Sequence, residues 1–437
     1  MSSQDKSLKW KFFSYVVPSV AAQWVFALYS MVDAVFVARG VSETALSAVN
    51  ISSPFTTFLF SISLMFAVGA STIVSIYLGQ KEPEKANRVY TQNIVVVLLC
   101  SLVITAAVLL NLESVAWLLG ATDATLQYIK IYVGTIAAFS SCFMISYSFE
   151  ILIKADGYPK LATIIVSSGA AANIGLDAVF VLVFQWGVWG AAFATGLSQL
   201  LVVILYLFHF LGKKTKLKLV PFHFQKENLK KTVMLGASSG ITELSAGVIT
   251  FLMNHAILRF LSDDALVSYS VISYVNYMVV MSMTGVAQGM QPLVSYQYGS
   301  GNLKTCGRLL RYGIVIVALS SVIIFAGTWM GTDLIVQCFI PDRTLEIFRY
   351  SASVFRIYSI SFLMVGYNVL LGGYFTSIER EKSSIAVSLG RGMVFLFISI
   401  ELLPRIIGGQ GVWWGAVLSE FLCICLTAVL WRLYKRK

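Results

Sequence analysis

The chain has 437 residues, of which 57% are hydrophobic and only 12% charged, with a formal net charge of +11. Soluble domains carry about 25% charged residues, so this composition excludes an ordinary soluble enzyme and describes a membrane protein. The basic excess, which in a soluble chain would suggest nucleic acid, is accounted for by membrane topology.

The chain begins with a short basic head, MSSQDKSLKWK, followed by a long apolar run that contains Pro18 and lacks a small-residue cleavage site. It reads as a retained helix rather than a signal peptide. Apolar runs of the length a bilayer-spanning helix needs, about 20 residues, recur to the end. Hydropathy predicts an all-α integral membrane protein with twelve transmembrane helices: 12–38, 51–78, 89–110, 125–152, 160–184, 188–211, 233–258, 265–298, 307–330, 345–376, 383–403 and 409–432. The six cysteines fall in or near these runs, without metal spacing, and read as small buried hydrophobes.

An even number of spans puts both termini on one side. Most basic residues fall there: Lys6, Lys9 and Lys11; Lys81, Lys85 and Arg88; Lys154 and Lys160; the lysines of 212–232; Lys304, Arg308 and Arg311; Arg380 and Lys382; and Arg432, Lys435, Arg436 and Lys437. The opposite side has Arg39, Arg259, Arg343, Arg349 and Arg405. The positive-inside rule therefore predicts cytoplasmic termini.

The sequence also repeats. GASTIVSIYLG (69–79) and GMQPLVSYQYG (289–299) share the frame G-x4-V-S-x3-G, and SETALSAVNIS (42–52) meets SDDALVSYSVI (262–272) at the same offset. GVWGAA (187–192) and GVWWGA (411–416) match at a slightly larger one. This predicts a six-helix lobe over 1–211, a basic cytoplasmic linker over 212–232 and a second six-helix lobe over 233–437. Because six is even, the lobes share one orientation, with a substrate cavity between them.

Polar residues inside such spans are expensive and mark function. Asp33 lies two thirds along the first span. Asn173 and Asp177, four apart on the fifth, share a helix face, and Thr195 sits on the sixth. Two carboxylates, an amide oxygen and a hydroxyl suit proton exchange or a hard cation such as Na⁺. For an organic substrate, aromatic and methionine side chains offer ring faces to cations and adaptable surface. The candidates are Trp24, Tyr29, Met65, Tyr147, Tyr274, Tyr277, Met281 and Gln288.

The segments PSVAAQWVFALYSMVDAVFVARG, GASTIVSIYLGQKEPEKANRV, NIGLDAVFVLVFQWGVWGAAFATGLSQ and GMQPLVSYQYGSGN resemble, in order and spacing over nearly the whole chain, the recurrent blocks of multidrug and toxic compound extrusion (MATE) transporters. The resemblance implies twelve helices in two lobes and ion-coupled export of amphipathic, mostly cationic compounds. It also implies a monomer in a bacterial or archaeal plasma membrane, in contact with lipid and without an organic cofactor. Asp33, Asn173, Asp177 and Thr195 would form the N-lobe cation site, taking H⁺ or Na⁺, and Pro18 would be the point at which the first helix bends. One departure stands out: the seventh span reads GASSGITELS, without the proline of the family's G-x-P motif. Glu243 is therefore given no ion-coupling role and is kept as a candidate for the cavity wall. The repeat offset carries Asp177 to Glu401 and Thr195 to Glu420, as relics or partners of the N-lobe site; for Glu401 a surface pairing is expected. Glu150, Arg356 and Arg391 are expected to be structural pairs or solvated at loop ends.

Rival functions fit less well. GASSG (236–240) satisfies G-x-S-x-G but opens a membrane helix with no preceding strand, and His209, His223 and His255 have no metal spacing. No G-x4-G-K-S/T motif supports a primary pump; GKKT (212–215) lacks the upstream glycine. A passive channel or receptor leaves the N-lobe carboxylates unexplained. The nearest alternative is a lipid-linked oligosaccharide flippase of a related two-lobed fold, which would want a strongly basic cavity.

Overall fold

The computed structural model describes residues 3–342 and 344–435; the side chains of 3–5, 34, 38, 39 and 43 lie outside that description. Arg39 is among these side chains, and Arg343, Arg436 and Lys437 fall outside the described residues altogether.

Eight helices make the six spans of the first half: α1 (Ser3–Gly40), α2 (Glu43–Gly79), α3 (Pro83–Leu110), the short α4 (Leu112–Leu119), α5 (Leu126–Ala138), α6 (Ser140–Asp156), α7 (Pro159–Asp177) and α8 (Gly187–Phe210), where α5 and α6 make one span bent by 52° and α4 lies between spans. The second half repeats the plan with α9 (Lys226–Phe260), α10 (Asp264–Gly299), α11 (Leu303–Met330), the short α12 (Thr332–Gln337), α13 (Glu346–Ser359) with α14 (Phe362–Ser377), α15 (Glu381–Leu389) with α16 (Phe395–Ile407), and α17 (Gly411–Lys435). Among the described residues, eleven helical segments are long and apolar enough to cross a membrane, and the bent pair makes twelve. The halves match in their irregularities as well. Each has a short helix after its third span, a break in its fourth and a π turn in its fifth, at Ala178–Val183 and Gly390–Val394. The fold is thus two pseudo-symmetric six-helix bundles.

Sequence sets the helix ends. Pro83 and Pro159 open α3 and α7, where a missing N–H costs nothing. Gly157 closes α6 at φ +108°, a conformation that glycine adopts without strain. Ser42 caps α2 by accepting from Ala45 N at 3.1 Å. Pro18 lies inside α1, which stays helical through it; its carbonyl accepts from Thr163 Oγ1 at 2.7 Å.

The 212–232 segment is more ordered than a free linker. Its last part is already the start of α9. The rest is tied to the first half: Asp156 Oδ1 accepts from Lys216 N (2.7 Å) and Leu217 N (3.2 Å), and Lys218 N and Val220 N donate to Asn87 Oδ1 (2.9 Å) and Thr91 Oγ1 (3.0 Å). Lys154, expected in a loop, is only 1% exposed and pairs with Glu150 at 2.9 Å.

The halves meet at the end that carries both termini, here called the terminal face. In that half of the membrane α2 lies against α9 and α1 against α10, at glycines. A Cβ on Gly236 would overlap Met65 O and one on Gly69 would overlap Thr232 O. A Cβ on Gly289 would come 2.7 Å from Val16 Cα and one on Gly285 2.6 Å from Val20 Cα. Small residues allow such backbone approach, on which membrane helix packing depends. Polar bonds across the seam follow: Gln291 Nε2 donates to Thr72 Oγ1 (2.7 Å), Ser61 Oγ to Gly240 O (2.9 Å) and Gln23 Nε2 to Gln288 Oε1 (3.0 Å).

Gly236→Ala is expected to force α2 from α9, with a cost of about 1–3 kcal/mol as for other overpacked sites, read as a lowered melting temperature in detergent. Gly247→Ala on the same helix, where a Cβ meets nothing within 4 Å, is expected to leave the melting temperature unchanged.

Candidate functional site

Asp33 on α1, Asn173 and Asp177 on α7, and Thr195 on α8 come together inside the first bundle. Asn173 and Asp177 are fully buried. The Asp33 and Asp177 carboxyls face each other within hydrogen-bonding reach. Thr195 Oγ1 donates to Ala191 O (2.9 Å) and accepts from Asn173 Nδ2 at 3.4 Å, which fixes the amide. What remains is a set of buried oxygens without a hydrogen-bond partner: Asp33 Oδ1, Asn173 Oδ1 and both carboxylate oxygens of Asp177. Two carboxyls in contact, with no basic side chain paired to either among the described residues, need a positive charge between them. A proton supplies it, and so does a hard cation on the four oxygens; the donor set fits either. Asp177 ends α7 where the π turn begins, a local irregularity common at functional positions.

A cavity of about 30 Å³, room for a water molecule, lies beside Asn173 and is lined also by Tyr29, Ser146, Glu150 and Gln199. Glu150 and Tyr147 border both this cavity and a larger one of about 240 Å³ between the two halves. Of the aromatic and polar candidates, Tyr147, Glu243, Tyr277, Met281 and Gln288 line the larger cavity. Tyr29 belongs to the small one instead. Trp24, 51% exposed, donates to Ser282 Oγ at 2.8 Å, and Tyr274, 53% exposed, stacks on Phe339. Met65 is part of the α2–α9 contact. None of these three lines the cavity. Glu243 has no ion-pair partner among the described residues, so it presents an uncompensated carboxylate to a wall that includes Tyr147 and Tyr277.

Neither acid to which the repeat offset points joins the Asp33–Asp177 site, and Glu401 is surface-paired as expected. Glu401 lies at the opposite face, bound by Arg259 (3.0 Å) and Arg405 (2.7 Å). Glu420 joins a buried network of its own, with Arg391 Nε at 2.8 Å and Asn368 Nδ2 at 2.7 Å. In the first half, α6 and α8 are joined by Ser146 donating to Gln199 Oε1 at 2.7 Å. The π turn follows Asp177 in one half and precedes Glu401 in the other, so one offset cannot carry a residue across. Arg356 pairs with Asp333 at 2.9 Å. Sequence reading missed Asn368, Thr242 and Gln291 in the larger cavity; isolated polar residues in apolar helices were the only signal for them.

The MatE family model matches residues 18–179 and 239–399, one copy in each half. A Multidrug export protein MepA of Staphylococcus saprophyticus is 20% identical over 95% of this chain and 91% of its own length. The Staphylococcus aureus protein of that name is 21% identical, with the same coverage. Among solved structures, a multidrug resistance MATE family transporter in an outward-facing conformation superimposes with a TM-score of 0.89 at 19% identity, over 97% of this chain and 95% of the other. The MATE multidrug transporter DinF-BH superimposes with a TM-score of 0.88 at 27% identity, over the same shares.

Removing one member of the buried Arg391–Glu420 pair strands the other charge, at about 3–5 kcal/mol. Arg391→Met is expected to lower the yield of monodisperse protein on size-exclusion chromatography, and adding Glu420→Met to restore much of it.

Proposed function

Because the chain belongs to the MatE family of multidrug efflux transporters, we propose that it is a secondary active antiporter, exporting amphipathic, mostly cationic compounds in exchange for H⁺ or Na⁺. The observation that carries this reading is the buried Asp33–Asp177 contact with its unpartnered oxygens. Such a pair holds a positive charge and changes its local packing when that charge leaves. The printed names of the relatives, multidrug export proteins, support the substrate class.

In this mechanism the chain works from the plasma membrane as a monomer among lipids, with both termini in the cytoplasm. The terminal-face seam is shut, so the central cavity is the outward-opening compartment. Glu243 offers it a lone carboxylate, and Tyr147 and Tyr277 offer ring faces to an organic cation. The coupling ion binds at Asp33, Asp177 and Asn173, with Thr195 orienting the amide. Its charge lets α1 pack more closely on α7, and α1 yields at Pro18, where a helix hydrogen bond is missing. The cavity changes shape, the compound is released outward, and the lobes then exchange access. Among the described residues Arg391 is the one basic side chain on the cavity wall, and its charge is met by Glu420, which disfavours a flippase for pyrophosphate-linked lipids.

Ethidium efflux from proteoliposomes tests this. Wild type is expected to transport under either an imposed proton gradient or an imposed Na⁺ gradient, and Asp33→Asn to lose that transport while remaining folded. Full transport by Asp33→Asn would end the proposal. Glu243→Gln is expected to weaken ethidium binding about tenfold, equivalent to about 1.4 kcal/mol, and to leave the choice of coupling ion unchanged; fluorescence polarisation measures it.

A further inference from the structure

A second cavity, of about 270 Å³, opens at the terminal face, where the seam meets the connecting segment. The first half contributes Lys11 and Tyr15 from α1, Lys154 and Gly157 at the end of α6, and Lys216 from the connecting segment; the second half contributes Tyr296 and Gln297 from α10. Its charge is unbalanced. Lys154 is neutralised by Glu150. The nearby acid, Asp156, is consumed: Oδ1 accepts from the Lys216 and Leu217 amides and Oδ2 lies 2.8 Å from His209 Nε2. Lys11 and Lys216 therefore face the cavity with no carboxylate paired to either among the described residues, and Lys11 is close enough to feel the charge of Lys216.

The Tyr15 hydroxyl reaches the same place. Lys216 Nζ and Tyr15 Oη both lie 3.9 Å from the point where a Cβ on Gly157 would sit, so they converge on one spot. Lys11 Nζ stands 5.8 Å over the Tyr296 ring, which holds it at the cavity mouth. The Lys216 backbone is pinned by Asp156, so the ammonium is presented from a fixed base rather than from a loose loop. Two ammoniums around a space of this size, beside two phenols and an amide that donate as well as accept, form a cationic site with no anion paired to it among the described residues. Strongly charged oxyanions are the ligands that satisfy such a set.

We propose that this cavity binds a phosphate-class anion, the headgroup of an acidic phospholipid or a free phosphate, between Lys11 and Lys216. Because both halves build it, a bound phosphate ties α1 and the connecting segment to α10. It thereby favours the state in which the terminal face is closed, by binding that state and not the open one. This makes the exchange between access states responsive to the lipid or phosphate at that face, separately from the coupling ion. The site stands apart from the Asp33–Asp177 pair, so its test does not depend on transport.

The test uses the full chain in nanodiscs. One arm compares phosphatidylcholine discs with discs containing phosphatidylglycerol; the other titrates inorganic pyrophosphate into phosphatidylcholine discs, against sodium chloride at matched ionic strength. Melting temperature is the readout. A rise of several degrees in the first arm only identifies a lipid headgroup; a rise in the second identifies free phosphate. In either case Lys11→Gln and Lys216→Gln are expected to raise the concentration needed for half the effect at least tenfold. Lys304→Gln, an exposed lysine of the same face outside the cavity, is expected to behave as wild type. No rise in either arm, or an equal rise in the Lys11 and Lys216 variants, overturns the proposal.

Discussion

The close approach of α2 to α9 and of α1 to α10 is the constraint from which the rest of this structure follows. In a bilayer no hydrophobic effect drives helices together, so association rests on packing, on hydrogen bonds and on backbones that can come near each other. The glycines at 69, 236, 285 and 289 permit that approach at the terminal face. With the lobes locked at one end, their other halves diverge, and the space between them becomes the central cavity. The repeat makes the lock symmetrical: Gly69 and Gly289 occupy equivalent places in the two halves, each against a helix of the other half.

Within this frame the two polar centres have different logic. In the second bundle Arg391, Glu420 and Asn368 bind one another, so both charges are paired, although Asn368 Oδ1 keeps no hydrogen-bond partner. In the first bundle Asp33, Asp177 and Asn173 leave buried oxygens without donors. A buried unsatisfied group costs free energy. The second centre pairs its acid with a base, whereas the first brings two acids together with no basic side chain paired to either among the described residues; that difference in charge is what supports the proposal of ion coupling in the first half.

Much of this was legible in the sequence, for identifiable reasons. Long apolar runs gave the spans, and the four-residue spacing of Asn173 and Asp177 put both on one face. The lone acid in the apolar seventh span, Glu243, does border the cavity. The failures share a different cause. The bend between α5 and α6 and the two π turns leave no mark on hydropathy, and because the π turns fall at different places in the two fifth spans, a single offset does not carry Asp177 to an equivalent residue. Lys154 read as a loop lysine because its partner, Glu150, lies one helical turn back inside the span. Trp24, Met65 and Tyr274 were chosen by residue type, and type does not say which way a helix face turns.

The asymmetry between the lobes also bears on how one bundle can move while the other holds. α1 belongs to the first half by sequence, yet its early residues Phe12, Tyr15 and Val16 pack in a core with Met283, Leu293 and Leu309 of the second. Its later part carries Asp33 against α7. One helix therefore spans both bodies, anchored in one core at its start and reaching the carboxylate pair near its end, with Pro18 between. In the proposed mechanism a change of charge at Asp33 acts on the outer part of that helix, which bends at Pro18, where one stiffening hydrogen bond is missing. The seam extends past Pro18: Val20 lies against Gly285, and Gln23 and Trp24 bond to Gln288 and Ser282. A bend there therefore has to carry or release those contacts with α10.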